Sequence, residues 1–291
     1  MRNKFIQLLN KHNDINNYKC YLLVGDVGYS VIEDFEKKFS NYYLNVGVAE
    51  QNMASIAAGI ASENNTVFIY SIANFPTFRA AEQIRNTIDY HNFNVTIVSI
   101  GGGLEYGNLG YSHHAIQDYG LMKLFPNFTL LSPCDDDELD SAFKYCVRHK
   151  GPKYLRLSKK KSINLKKQKI TKNFNLVQKC NSKTAIISTG RVLHELTQQK
   201  HLKNYNIYSC PLWGEKFKKD ISSFLKNFKY IFSVEDHLSS SGFGSFLSEC
   251  CEEFNVKIKI KRLTLKNSII GKVGSEQELW SYSNFDQFKI E

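Results

Sequence analysis

The sequence predicts an α/β protein of two three-layer α/β/α domains with mainly parallel sheets. Three observations carry this reading. Short β-branched or aromatic runs alternate with segments of helical character. The alternation occurs twice, on either side of a lysine-rich stretch of low apolar content. The chain's 291 residues suit two domains of ordinary size, each able to bury its own core. Alternation at this spacing implies a parallel sheet covered on both faces. Ligands of such sheets bind beyond the carboxyl ends of the strands.

In the first domain, residues 1–160, the strands are placed at Cys20–Val24, Thr66–Tyr70, Asn94–Ile100, Phe128–Ser132 and Lys153–Leu157. Helices are placed between them at Val31–Phe39, Glu50–Glu63, Thr77–Tyr90, Ala115–Leu124 and Asp136–His149. Residues 161–176 read as a linker: seven lysines fall between Lys159 and Lys172, with no clear period. The second domain, 177–291, repeats the alternation on a smaller scale. Its strands are Thr184–Ser188, Asn204–Ser209, Tyr230–Val234 and Val256–Lys261. Its helices are Val192–Lys200, Ile221–Phe228, Phe243–Glu253 and Ser275–Ser281.

Hydrophobic residues make up 42% and charged residues 23%, which excludes a disordered or collagen-like chain. The formal charge of +10 points to acidic partners such as phosphorylated metabolites or an acidic subunit. Much of it comes from the lysine stretch, so no nucleic-acid partner is expected. Seven cysteines without a C-x-x-C pair support neither a disulfide framework nor a cysteine zinc site. Reduced thiols, a cytoplasmic protein and no metal on this chain are the expectation. The start lacks an apolar run long enough for a signal peptide, and no stretch suits a membrane span.

The most informative segment is NVGVAEQNMASIAAGIA, residues 45–61. Ala54, Ala57, Ala58 and Ala61 recur on one helical face and permit close approach of another element. That element belongs either to the core or to a second subunit, and the spacing does not decide between them. Glu50 begins the helix, where the positive end of the helix dipole favours a carboxylate.

NVGVAEQNM resembles the transketolase family of thiamine-diphosphate enzymes. Further pieces match in order: NFPTFRAAEQIRN (74–86), GYSHHAIQD (110–118), LFPNFTLLSPCDDDE (124–138), YLRLSK (154–159), EDHLSSSGFGS (235–245) and GKVGSEQELWSYSNF (271–285). The family's diphosphate and Mg²⁺ signature, Gly-Asp-Gly followed some way on by Asn, has no counterpart. GDVGYS at 25–30 lacks the second glycine. The chain therefore resembles the pyrimidine-binding and carboxy-terminal domains alone, as in a two-subunit transketolase. The implied partner is an amino-terminal, diphosphate-binding subunit carrying Mg²⁺, in an α2β2 heterotetramer.

The resemblance implies that Glu50 hydrogen-bonds a ring nitrogen of the cofactor's aminopyrimidine and manages its proton, a task for a protonatable carboxylate. Phe75 and Phe78 match the aromatic platform for that ring, with Ile72 as a further wall. His113 matches the histidine that faces cofactor and substrate. Arg79, which equally suits a surface ion pair, is placed to reach a substrate oxygen. Lys159 stands where relatives hold a substrate phosphate with Arg. It keeps the charge and loses the bidentate fork. His114 replaces a common Gln. Two polar substrate contacts of the family, by ungapped counting, fall near Gly101 and at Leu109. This points to an unusual acceptor, such as a nucleotide-linked sugar, with three consecutive glycines leaving room. The implied reaction is transfer of a two-carbon ketol unit between small-molecule sugars. The alternatives are a 2-oxo acid decarboxylating subunit, related to deoxyxylulose-phosphate synthase or a 2-oxo acid dehydrogenase beta subunit, or a non-catalytic regulatory paralogue.

Overall fold

The structure, a computed structural model, describes residues 1–167, 169–170 and 173–288. The stretch read as a linker includes residues 168, 171 and 172, which lie outside the described residues.

The first domain runs α1 (Arg2–Ile15), β1 (Cys20–Val24), α2 (Glu33–Lys38), β2 (Tyr43–Asn45), α3 (Glu50–Ser62), β3 (Thr66–Ile72), α4 (Asn74–Phe78), α5 (Ala81–Gln83), β4 (Val95–Ile100), α6 (Asp118–Lys123), β5 (Thr129–Leu131), α7 (Asp136–Arg148) and β6 (Lys153–Leu157). The remainder runs β7 (Lys169–Ile170), β8 (Asn175–Gln178), β9 (Thr184–Ser188), α8 (Val192–Thr197), β10 (Asn206–Ser209), β11 (Leu212–Trp213), α9 (Lys218–Leu225), β12 (Tyr230–Leu238), α10 (Phe243–Glu253), β13 (Lys259–Leu265) and α11 (Glu276–Tyr282). Among the described residues no helix is long and apolar enough to cross a membrane.

The first sheet has the order β11-β5-β6-β4-β3-β1-β2. All its pairings are parallel except that of β11 with β5. Every residue of β4 and β6 is buried, the signature of parallel strands covered on both faces. The second sheet has the order β13-β12-β9-β10-β8-β7, parallel from β13 to β10 and antiparallel at β8 and β7. Two α/β domains with mostly parallel sheets are thus present. They are joined more closely than a linker would require. Strand β11 crosses back from the second half to the edge of the first sheet. Strands β7 and β8 begin within the lysine-rich stretch, and Lys167 forms a buried ion pair with Asp135.

Ala54, Ala57, Ala58 and Ala61 are 0–5% exposed within this one chain. The small-residue stripe is therefore core packing, and α3 lies against both β3 and the segment Ile84–Asp89. The helix expected at Thr77–Tyr90 is broken. The Thr77 hydroxyl donates to the Ala73 and Asn74 carbonyls, Ala80 leaves helical geometry, and a π-helix spans Ile84–Asp89. Hydroxyls that back-bond in this way bend helices, and π-segments cluster at functional sites.

The candidate active site

The site forms where β3, β4 and β6 end, around the first turn of α3. Glu50 opens α3 and is 4% exposed. Arg79 Nη1 donates to Glu50 Oε1 at 2.9 Å, and its guanidinium carbon lies 3.8 Å from the centre of the Phe75 ring. The Phe75 and His113 rings meet edge-on, 5.0 Å between centroids. His113 lies 6.2 Å from Tyr106, and Lys159 Nζ sits 4.0 Å from the Tyr106 ring centre. One chain of contacts therefore joins Glu50, Arg79, Phe75, His113 and Lys159, five residues that span 110 positions of sequence. The linking member, Tyr106, carries no signal in the sequence.

Local structure fixes these groups. The Asn74 carboxamide donates to the His114 carbonyl at 2.6 Å and ties α4 to the loop carrying His113. His114 is buried, and its Nε2 is 3.2 Å from the Gly107 carbonyl, so it staples that loop from inside. The Ser112 hydroxyl is 3.0 Å from His113 Nδ1. Burial pushes the His113 pKa down, and the nearby Arg79 and His114 add to this. His113 is thus a neutral imidazole near pH 7, with one donor and one acceptor nitrogen. Phe78 is exposed and lines a 340 Å³ cleft with Asn74, Phe75, Arg79, Tyr111, Ser112 and Gln117. Ile72 is half-buried at the end of β3, outside that lining. A larger groove of 430 Å³ lies between α1 and α7, and its lining includes none of Glu50, Phe75 and His113.

The three glycines after β4 do not leave empty space. A Cβ at Gly101 would run into the Tyr106 ring, one at Gly102 into Arg156, and one at Gly103 into Asp236. The room expected for a large acceptor is filled by these side chains. Gly101 also has φ +82°, which side-chain-bearing residues rarely adopt. Beside Tyr106, Glu105 is buried and accepts from the Lys159 backbone N–H at 2.7 Å and from the Ser158 hydroxyl. Burial, with Glu276 nearby, pushes its carboxyl up to about 7. Arg2, at the start of α1, is close enough to offset part of the burial effect on the Tyr106 phenol. No local sequence pattern marks Glu105, Tyr106 or Arg2, because their roles depend on contacts with distant segments.

Beneath the site, Arg156 donates to Asp236 at 2.6 Å and pairs with Asp118 at 2.8 Å. Tyr154 donates to Asp118 at 2.6 Å. Burial works against the Arg156 charge, but the two carboxylates outweigh it and hold its pKa high. This network fastens β6 and α6 of the first domain to β12 of the second. Cys134, Asp135 and Glu138 also converge, with ligand-type atoms within 4.8 Å. Their carboxylates are engaged elsewhere: Asp135 with the Glu138 and Leu165 N–H groups and Lys167, Glu138 with the Cys134 N–H, Asn175 and Ser209. Burial and these carboxylates push the Cys134 thiol up. The cluster is a joint between the two domains.

Residues 18–163 match the family described as "Transketolase, pyrimidine binding domain". The chain belongs to the transketolase family. One of the subunits of the apulose-4-phosphate transketolase of Actinobacillus succinogenes is 26% identical over 89% of this chain and 86% of that protein. A putative transketolase C-terminal section of Methanocaldococcus jannaschii is 28% identical over 87% of this chain and 81% of that protein. Among solved structures, a split gene transketolase described as an inactive beta4 tetramer superposes with a TM-score of 0.82. It is 23% identical and matched over 98% of this chain and 96% of that one, a likeness of fold. For this transketolase-family chain, Glu50, Phe75 and Phe78 fall inside the matched pyrimidine-binding domain.

Proposed function

We propose that this chain is the carboxy-terminal subunit of a two-chain, thiamine-diphosphate-dependent transketolase, completed by an amino-terminal subunit that holds the diphosphate and Mg²⁺. The observation that carries the reading is the buried Glu50 carboxylate beside the Phe75 ring, at the ends of the parallel strands. Relatives named as one subunit of a transketolase and as a C-terminal section, matched over most of their length, support the division between two chains. The pair already accommodates a flat N–H donor, the Arg79 guanidinium, and so fits an aminopyrimidine. When bound, the cofactor supplies a carbon nucleophile for breaking and forming bonds next to a carbonyl.

The chain's own residues orient and move protons. Glu50 holds the proton shared with the pyrimidine ring nitrogen, and Phe75 and Phe78 pack against the ring. His113, neutral and edge-on to Phe75, donates to or accepts from the substrate oxygen at the reacting carbon. Lys159 meets the anionic end of the sugar, with Tyr106 beneath it. Size no longer argues for a nucleotide-linked acceptor, because Tyr106, Arg156 and Asp236 fill the space beside the glycines. The unusual acceptor now rests on the absence of the two polar side chains expected near Gly101 and at Leu109. The stoichiometry in this reading is α2β2.

The test is reconstitution with a chain carrying the Gly-Asp-Gly…Asn domain. The pair should transfer ketol units from a ketose phosphate. A Glu50→Gln variant should lose on the order of 10²-fold or more in turnover. Full activity of this chain alone would overturn the division into subunits. Unchanged turnover in the Gln variant would overturn the role of Glu50. Carbon dioxide release from pyruvate in place of ketol transfer would instead indicate a 2-oxo acid decarboxylating enzyme.

A further inference from the structure

We propose that the slot between Glu50 and the Phe75 ring is kept filled in the free chain by the chain's own Arg79, which stands in for the flat, N–H-donating ligand that the slot takes. The proposal rests on the assignment of Glu50 and Phe75 to a pyrimidine ring, and goes beyond it by identifying what that ring displaces. A guanidinium is planar, delocalised and edged with N–H donors. Here it makes the two contacts that a bound aminopyrimidine would need. One is a hydrogen bond to Glu50 Oε1 at 2.9 Å, and the other is face contact with Phe75 at 3.8 Å. One side chain and one ligand cannot occupy the same face of the same ring while bonding the same carboxylate.

The arrangement is directional. The Glu50 side chain is 4% exposed and that of Arg79 is 45% exposed, so the carboxylate lies inside and the guanidinium covers it from the solvent side. Arg79 also sits at the end of α4, next to the break at Ala80, and lines the open cleft. Its long side chain therefore has solvent and cleft to swing into. Once displaced, it stays beside His113 as a free cation facing the substrate space. Filling the slot thus releases the positive charge that meets an anionic substrate, which couples the two binding events. Competition with an internal occupant weakens the apparent affinity by the fraction of chains whose slot is open.

The experiment titrates the full-length chain with the aminopyrimidine half of thiamine, 4-amino-5-hydroxymethyl-2-methylpyrimidine, by calorimetry or ligand-observed NMR. Wild type, Arg79→Met, Arg79→Lys and the Arg79→Met/Glu50→Gln double variant are compared, with circular dichroism to verify folding. Arg79→Met should bind about tenfold more tightly than wild type. Arg79→Lys should fall between them, because lysine keeps the charge but loses the flat fork. The double variant should lose the gain. Equal or weaker binding by Arg79→Met would overturn the internal occupant and leave the pyrimidine assignment standing. Binding that is unaffected by Glu50→Gln would overturn the pyrimidine assignment itself.

Discussion

Glu105 should make this protein less stable as the solution becomes alkaline, and the size of the effect follows from its surroundings. The carboxyl is buried at the boundary between the domains, with Glu276 as a like-charged neighbour, and is pushed up to about 7 from an ordinary 4.5. Between those values the folded chain holds a proton that the unfolded chain has released. Its stabilising contribution is complete below about 4.5 and is lost as pH rises through about 7. At 1.36 kcal/mol per pH unit the full span is roughly 3 kcal/mol, of which about 2 kcal/mol is lost between pH 5.5 and 8. Glu105→Gln removes the titration while keeping an acceptor for Ser158. Its amide NH₂ then opposes the Lys159 N–H, at about 1–3 kcal/mol for the unsatisfied donors. Urea unfolding at several pH values should show the variant well below wild type at pH 5.5, with the gap narrowing by about 2 kcal/mol at pH 8. Taking the difference between the two proteins cancels other titrating groups, including His113 and His114, whose lowered values act in the opposite direction. Parallel curves across this range would refute the reasoning.

Arg156→Met should cost about 3–5 kcal/mol in urea unfolding, because it strands Asp118 and Asp236 as buried, unpaired charges; a loss under 1 kcal/mol would show that the network contributes little. In the reconstituted enzyme, Tyr106→Leu should raise KM for a phosphorylated substrate by about two- to fivefold, the worth of a cation–π contact. The same change should leave KM for an uncharged substrate unmoved, and equal effects on both would separate Tyr106 from the anionic end. The acid limb of kcat/KM should lie below pH 6.5, because His113 is held below its ordinary value, and it should move upward in Arg79→Met as one of the depressing charges is removed.

The parallel core was legible because its strands are buried on both faces and read as continuous apolar runs. Val95–Ile100 is VTIVSI in sequence and wholly buried in the fold. The alanine stripe of α3 was visible as a pattern, but only the folded chain shows that it is buried within this chain. What sequence concealed was contact at long range. The two residues of β11 are too short to carry a periodic signal, and they matter only because they reach the edge of the first sheet. Lys167 looked like one more solvated lysine in a polar stretch, yet its ammonium is buried against Asp135. The same limit applies in the site. Glu50, Phe75 and His113 lie in recognisable segments, whereas Tyr106 is an ordinary tyrosine until the fold sets it between His113 and Lys159.

The glycines at 101–103 show how absent side chains can build a site. Along the chain, they suggest a vacancy. In the fold each missing Cβ admits a side chain from elsewhere: Tyr106 from the following loop, Arg156 from β6 and Asp236 from β12. Any side chain at 101 and the Tyr106 ring exclude each other, because both need the same volume. The loop that leads to Tyr106 packs, at Gly102 and Gly103, against Arg156 and Asp236, the pair that fastens the two domains. A substitution that restores a side chain at 101, 102 or 103 must therefore disturb the domain joint or the Tyr106–Lys159 pair before it adds any contact to a substrate.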